Sequence, residues 1–328
     1  MLPVFLLASM AILGATTLMG IVTNSIIVVV NVADKIKGKS FSSSDLILVT
    51  LGMSNITFQI AMTANDFLTI LWSDLYFSDT VYAIFNTLLL LPIFSSFWFT
   101  VCLCVYYCLQ IVIFTHPFLV RLKLGISRLV PFLLGASVFT SVVISIPALW
   151  STYKDPQNAN FSSNQSLETE VPKLSVVYLF SSNIIGCSIP LVLVGVSNCL
   201  IINSLIRKST MLEKNKSDVS RPRTDARERA ARTVGCLLLL YMTFYISEIF
   251  MFIDFFPPSS PGFCTCLMVI YVYSPTQSII LIFGSPKLKK ASLTLLKLPR
   301  KCGREQKETP KILFIRLRFQ RALNHKDS

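Results

Sequence analysis

The stretch Thr80–Val120, TVYAIFNTLLLLPIFSSFWFTVCLCVYYCLQIVIFTHPFLV, holds no Asp, Glu, Lys or Arg. A helix needs about 20 apolar residues to cross about 30 Å of hydrocarbon, so this run crosses a bilayer with turns to spare. Lipid admits only helices and closed barrels, because backbone N–H and C=O groups find no water there. The run is apolar throughout rather than alternating, which selects the helix. The pattern recurs along the chain. Met1–Ala33, Leu46–Asn65, Leu129–Tyr153, Leu174–Ile206 and Phe255–Pro286 are also uncharged, and Thr233–Asp254 holds only Glu248 before its terminal Asp254. The fold expected is an all-α membrane protein, a bundle of seven transmembrane helices at about 5–32, 45–70, 81–113, 129–150, 175–206, 231–253 and 264–284. Residues 1–291 then form the membrane domain, and 292–328 form a basic tail.

Composition agrees. The 328 residues are 53% hydrophobic and 14% charged, where a soluble domain carries about 25% charged residues. Such hydrophobicity excludes disorder. The mean hydropathy of +0.63 coexists with a formal net charge of +13, and a basic surplus could also serve nucleic acid. The positions of the charges decide between the two. Of the 30 Lys and Arg residues, 28 follow spans one, three, five and seven, leaving only Lys154 and Lys173 on the other side. The positive-inside rule then sets the N-terminus outside and the C-terminus in the cytosol. No folded basic domain remains for nucleic acid, and the partner expected of the surplus is the lipid bilayer. The first residues carry no positive n-region, so the first span reads as a retained anchor rather than a cleaved signal.

Two sequons, at Asn160 and Asn164, fall in the loop between spans four and five, on the side expected to be outside. That loop, residues 151–173, contains no cysteine, so no disulfide ties it to span three. Cys302, beside a basic segment, is a candidate for palmitoylation. In KLKKASLTLLKL after span seven, Leu288, Leu295 and Leu298 fall near one helical face among lysines, a pattern for a helix lying in the membrane interface.

Seven spans could serve a receptor, a transporter or a membrane enzyme. An enzyme needs clustered His, Asp, Glu or Cys at one depth. The only histidines, His116 and His325, both lie on the basic side, and no metal-ligand spacing or nucleophile motif occurs. No metal or cofactor is expected. A secondary transporter should show internal repeats, and none is found. The odd number of spans favours a receptor.

Five motifs stand in order along the chain: SSSDLILVTLGMSN (42–55), the Trp98–Leu103 segment with Tyr106-Tyr107 and FTHPFLVRLK (114–123), Ile189-Pro190 with LIINSLIRKSTM (200–211), ARERAARTVGCLLLLY (226–241) and SIILIFGSPKLKKA (278–291). Together they resemble the bitter (type 2) taste receptors, a family of G-protein-coupled receptors, over residues 20–291. The D/E-R-Y, C-W-x-P and N-P-x-x-Y motifs of rhodopsin-like receptors are absent. Vomeronasal type 1 receptors are the alternative within the same class. The family commonly has Arg at the position of Asn55, His at Lys208 and Arg227, His-Ser at Gln277-Ser278 and Asn at Ser285. Leu89 and Ile93 stand where it has a polar and aromatic pair in span three. The chain thus resembles a divergent member, closer in scaffold than in pocket. The resemblance implies a small-molecule agonist and a heterotrimeric G protein of the gustducin type. The G protein would meet His116, Pro117, Arg121, Lys123, Arg207, Lys208, Arg229, Lys287 and Lys289.

Two acids mark the other half of the bundle. Burying an unpaired carboxylate in hydrocarbon costs about 3 kcal/mol on the lenient insertion scale, so Asp66 and Glu248 should face a watery cavity or each other. Phe244 and Met251 share the helical face of Glu248. With Asn65, Leu89, Ile93, Asn183, Tyr245 and Tyr271, they form the expected agonist site. Asn24, Asn55, Asn198, Asn203 and Ser278 are expected to hydrogen-bond between helices. On this topology, deglycosylation lowers the apparent mass only while Asn160 or Asn164 is intact. A mass shift that survives replacement of both, read on a denaturing gel, would refute it.

Overall fold

The computed structural model describes residues 4–114, 116–154, 172–215, 221–257 and 260–305. The long helices are α1 (Val4–Ile36), α2 (Ser43–Leu71), α4 (Asp79–Ile111), α6 (Ile126–Ser145), α8 (Ile189–Asn215), α9 (Arg221–Phe252) and α10 (Pro261–Gly284). Shorter helices are α3 (Ser73–Tyr76), α5 (Pro117–Leu124) and α7 (Val176–Asn183). A 3-10 turn at Ile146–Leu149 extends α6, and a π-helical turn at Ile184–Ser188 joins α7 to α8. Among the described residues, seven helices are long and apolar enough to cross a membrane: Ala11–Ile36, Ser43–Leu71, Asp79–Ile111, Ile126–Leu149, Val176–Arg207, Ala226–Phe252 and Pro261–Gly284. Helix α9 begins earlier than its apolar run because Arg221–Arg232 contains good helix formers, stapled by the Glu228–Arg232 ion pair one turn apart.

Helix α4 is the hub. It packs against α2, α6 and α8 and touches α9, while α1 packs on α2 and α10, and α9 on α8 and α10. Helix packing in lipid cannot draw on the hydrophobic effect, so close fit and interhelical hydrogen bonds replace it. Phe94, Phe97, Val101, Cys104 and Cys108, on one flank of α4, join Cys187, Val194, Tyr241, Phe244 and Tyr273 in the main core. Pro92 lies inside α4 without breaking it, and the Ser54 hydroxyl of α2 donates to the Pro92 carbonyl at 2.9 Å.

The π turn has a local cause. Pro190 has no N–H to donate back into the preceding turn, so the ladder widens there: the Ile189 N–H reaches the Ile184 carbonyl, five residues back. The same turn admits a close approach. A Cβ on Gly186 would lie 2.3 Å from the Phe94 ring.

At the end of the bundle opposite the basic loops, Thr152–Tyr153 (β1) pairs antiparallel with Lys173–Leu174 (β2). Lys154 reaches Asp79 at 3.1 Å, and Lys173 reaches Asp254 at 3.7 Å. Both lysines of this side are therefore paired, and the loop is fastened by a two-residue ladder and exposed ion pairs. Residues 155–171, with Asn160 and Asn164, lie outside the described residues. Residues 285–328 form a separate unit, described as the helix α11 (Pro286–Glu305), which continues past residue 291. Leu295 is exposed on it, and the side chains of Leu298 and Cys302 lie outside the described set.

Gly186→Ala forces Phe94 out of its place, and overpacking of this kind costs about 1–3 kcal/mol. Thermal unfolding of the purified receptor should show a lowered midpoint, partly recovered in Gly186→Ala/Phe94→Leu. An unchanged midpoint in the single variant would contradict the close approach.

Candidate functional site

The bundle interior holds a connected set of polar side chains. The Asn55 amide, on α2, donates to Gln277 Oε1 of α10 at 2.6 Å and to Asn24 Oδ1 of α1 at 3.1 Å. Ser96 of α4 donates to Asn55 Oδ1 at 2.9 Å. The Gln277 amide donates to Thr100 Oγ1 at 3.0 Å and to Tyr273 Oη at 3.1 Å. The Asn24 amide donates to the Gly20 carbonyl at 2.8 Å and Ser274 Oγ at 3.3 Å, and Thr23 shares a 2.6 Å bond with Ser278. Asn24, Asn55, Gln277, Ser274 and Ser278 are buried. These bonds tie α1, α2, α4 and α10 together. Asn198 on α8 donates to the Val234 carbonyl of α9 at 3.0 Å. Asn203 does not join them: it lies on an exposed face of α8, which corrects the expectation for that residue.

Above this network, Asn55, Phe58, Ile93, Ser96, Phe97, Phe244 and Tyr273 line a narrow cavity of about 10 Å³, room for about one water. Two of the residues expected in the agonist site, Ile93 and Phe244, reach it. The others are placed around it. Leu89 and Ile93 pack on a small cluster of Phe58, Met62 and Tyr271. Tyr271 is buried, and its hydroxyl donates to Asp66, joining α10 to α2. Asn65 accepts from the Tyr76 hydroxyl at 2.6 Å, and burial pushes that hydroxyl up to about 12.

Glu248 is 5% exposed and accepts from the Cys187 thiol of the π turn at 3.4 Å. The two acids thus do not answer each other, as the sequence allowed. Each is held by a donor from a neighbouring helix, and neither lines the narrow cavity. Tyr241, one side of the same helix, donates to the Cys187 carbonyl at 2.7 Å and stacks on Phe97 with centroids 4.1 Å apart. Phe244 sits edge-on to Phe97 at 5.1 Å and tilted to Tyr273 at 4.8 Å. Tyr245 shares a 2.7 Å bond with Ser188. Asn183 is buried, one turn before Cys187, with its Nδ2 unpartnered among the described residues. Met251 is half-buried on α9.

The basic end is built differently. His116 stands at the N-cap position of α5 without a side-chain capping bond, and Pro117 occupies the first turn, where a missing N–H costs nothing. His116, Pro117, Arg121, Arg207 and Arg229 are exposed. Lys123 turns inward and donates to the carbonyls of Gln110 and Val112 at 3.3 and 2.9 Å, closing the end of α4. Its first role is thus structural. The side chain of Lys208 lies outside the described set, and Lys287 and Lys289 belong to the α11 unit.

Sequence reading missed Cys187, Ser96, Thr100, Tyr241 and Tyr273 as partners. The Ile189-Pro190 pair was visible and signals the irregular turn that presents Cys187, but which residue it aims at Glu248 depends on helix rotation.

Seven spans around a polar core make this a heptahelical membrane protein. Residues 1–300 match the family model described as taste receptor protein (TAS2R). Similar proteins include taste receptor type 2 member 40 of Gallus gallus, 29% identical over 88% of this chain and 94% of the relative. Member 39 of Papio hamadryas is 30% identical over 88% and 86%, and member 9 of Homo sapiens 28% identical over 85% and 89%. The chain belongs to the type 2 taste receptor family, the bitter-sensing G-protein-coupled receptors, and is a multi-pass protein of the cell surface. The vomeronasal and transporter alternatives give way to it. The family is one of receptors, not of enzymes.

Tyr271→Phe leaves Asp66 without that donor and should cost about 1–3 kcal/mol, whereas Tyr271→Phe/Asp66→Leu removes both partners and should cost less. Thermal unfolding reads both. A double variant as unstable as the summed singles would refute the pairing.

Proposed function

We propose that this receptor, with its N-terminus outside and C-terminus in the cytosol, binds bitter small molecules beside α4, α7, α9 and α10 and activates a gustducin-type G protein. One observation carries the choice of site. Glu248 is a buried carboxylate that, among the described residues, accepts a single hydrogen bond, from a thiol. A carboxylate has about four acceptor positions, and a thiol is a weak donor. An agonist bearing a cation or N–H donor supplies what the site lacks, and Phe244, Met251 and Asn183 offer apolar surface and a free amide nearby. The half-satisfied acid thus favours basic agonists, with Asp66, Asn65, Leu89, Ile93 and Tyr271 forming the far wall.

The narrow cavity leaves little room in this packing. An agonist acts only by binding a wider packing better than this one. Its donor displaces the Cys187 thiol from Glu248, freeing α9 to move against the π turn. The Tyr241–Phe97 stack carries that movement to α4. At the basic end a crevice opens, lined by His116, Pro117, Arg121, Arg207 and Arg229, and Lys208 and, on α11, Lys287 and Lys289 are also expected to meet the G protein. Lys123 holds the end of α4 while its neighbours meet the G protein.

Calcium mobilisation in cells carrying a gustducin-type chimeric G protein tests both halves. Glu248→Gln should raise the half-maximal concentration of basic agonists by about tenfold or more, the value of one charge-assisted hydrogen bond. Neutral agonists and surface expression should be unchanged. Equal responses of both forms to basic agonists would remove Glu248 from the site, and silence of a displayed receptor across a broad bitter panel would refute the function.

A further inference from the structure

Helices α5 and α6 meet at Gly125, and the angle between them leaves an open groove of about 470 Å³. Phe118, Arg121, Leu122, Gly125, Arg128, Leu129 and Phe132 line it. The two arginines stand one on each helix, both exposed and without an ion pair among the described residues. Between and beyond them the lining is apolar. Phe118 is 63% and Phe132 72% exposed, and Phe132 belongs to the membrane-crossing stretch Ile126–Leu149. The groove therefore runs from a doubly cationic mouth at the basic end into the face that meets lipid tails.

Positive-inside sorting explains why arginines occur here. It does not explain why two of them share the lining of a concave surface with Leu122, Leu129 and two bare phenylalanines. Lys123, on the same short helix, is turned away to close α4, so the groove keeps arginine, whose planar fork matches phosphate oxygens in pairs. Basic pockets at helix ends are suited to anionic headgroups.

We infer that this groove is a binding site for an anionic phospholipid. Its phosphate sits between Arg121 and Arg128, and its acyl chains lie along Phe118, Leu129 and Phe132. The occupant has to be a lipid rather than free phosphate, because most of the lining is apolar and opens to the bilayer. The site shares Arg121 with the surface proposed to meet the G protein.

The test uses the full receptor in phosphatidylcholine nanodiscs carrying a trace of photoactivatable phosphatidylserine or, separately, photoactivatable phosphatidylcholine. Labelled peptides are mapped by mass spectrometry, so signalling does not enter the readout and receptor orientation is immaterial. The serine lipid should label residues 117–132 about 25-fold more than the choline lipid, since each of the two arginines contributes about 1 kcal/mol, about fivefold. Labelling should fall to the choline level in Arg121→Gln/Arg128→Gln and persist in Arg121→Lys/Arg128→Lys at a reduced level. Each single Gln variant should lose part of it, which keeps the test open if the double variant fails to fold. Equal labelling by both lipids, or labelling undiminished in the Gln variants, would overturn the site. So would equal labelling around Arg229 and Arg232, which would mean diffuse attraction. Displacement by millimolar inorganic phosphate, but not by chloride at equal ionic strength, would assign the groove to free phosphate and overturn the lipid.

Discussion

The 2.6 Å bond from Asn55 to Gln277 is the contact on which the rest of the bundle depends. It joins α2 to α10 near the middle of the bundle, and each partner extends it: Asn55 to Asn24 and Ser96, Gln277 to Thr100 and Tyr273. Four helices thereby share one hydrogen-bonded centre. Lipid tails are as apolar as leucine, so burying apolar surface does little to hold one helix against another. A buried amide, by contrast, has nowhere else to bond, and its satisfaction fixes both the rotation and the depth of its helix. Here an amide pair, Asn55 and Gln277, fills the place.

The remaining helices are held by shape more than by polarity. Phe97, Tyr241, Phe244 and Tyr273 form a compact aromatic group across α4, α9 and α10. The Phe94 ring fills the space that Gly186 leaves open. Tyr273 belongs to both systems, since it packs on Phe97 and accepts from Gln277. The polar centre and the aromatic group are thus coupled through one side chain. Interhelical hydrogen bonds in membranes average only about 0.6 kcal/mol each, so a network of this kind biases a packing rather than locking it. That suits a receptor, whose agonist must be able to shift the balance with a few kcal/mol of differential binding.

The spans were legible because charge is excluded from lipid, and uncharged runs such as Thr80–Val120 show in the sequence directly. The asparagines were legible for a related reason: Asn24 and Asn55 in apolar runs need partners, and they have them. Asn203 misled because residues at that depth of α8 can also point outward, and the sequence does not give the rotation. The pairings of Asp66 with Tyr271 and of Glu248 with Cys187 were hidden for the same reason. They join residues 205 and 61 positions apart, whose meeting follows from the order of helices around α4. The inward turn of Lys123 was masked by the general surplus of lysine at that end.

A double-mutant cycle on Asn55 and Gln277 tests most directly whether the polar centre organises the bundle. Stability of the wild type, Asn55→Ala, Gln277→Ala and the double variant would be measured by thermal unfolding in one detergent. A contact of this kind predicts a coupling of about 0.6–1.7 kcal/mol, with the double variant less unstable than the summed singles. Strict additivity, with no coupling beyond about 0.3 kcal/mol, would mean that the two amides act independently and that the centre does not hold the helices together.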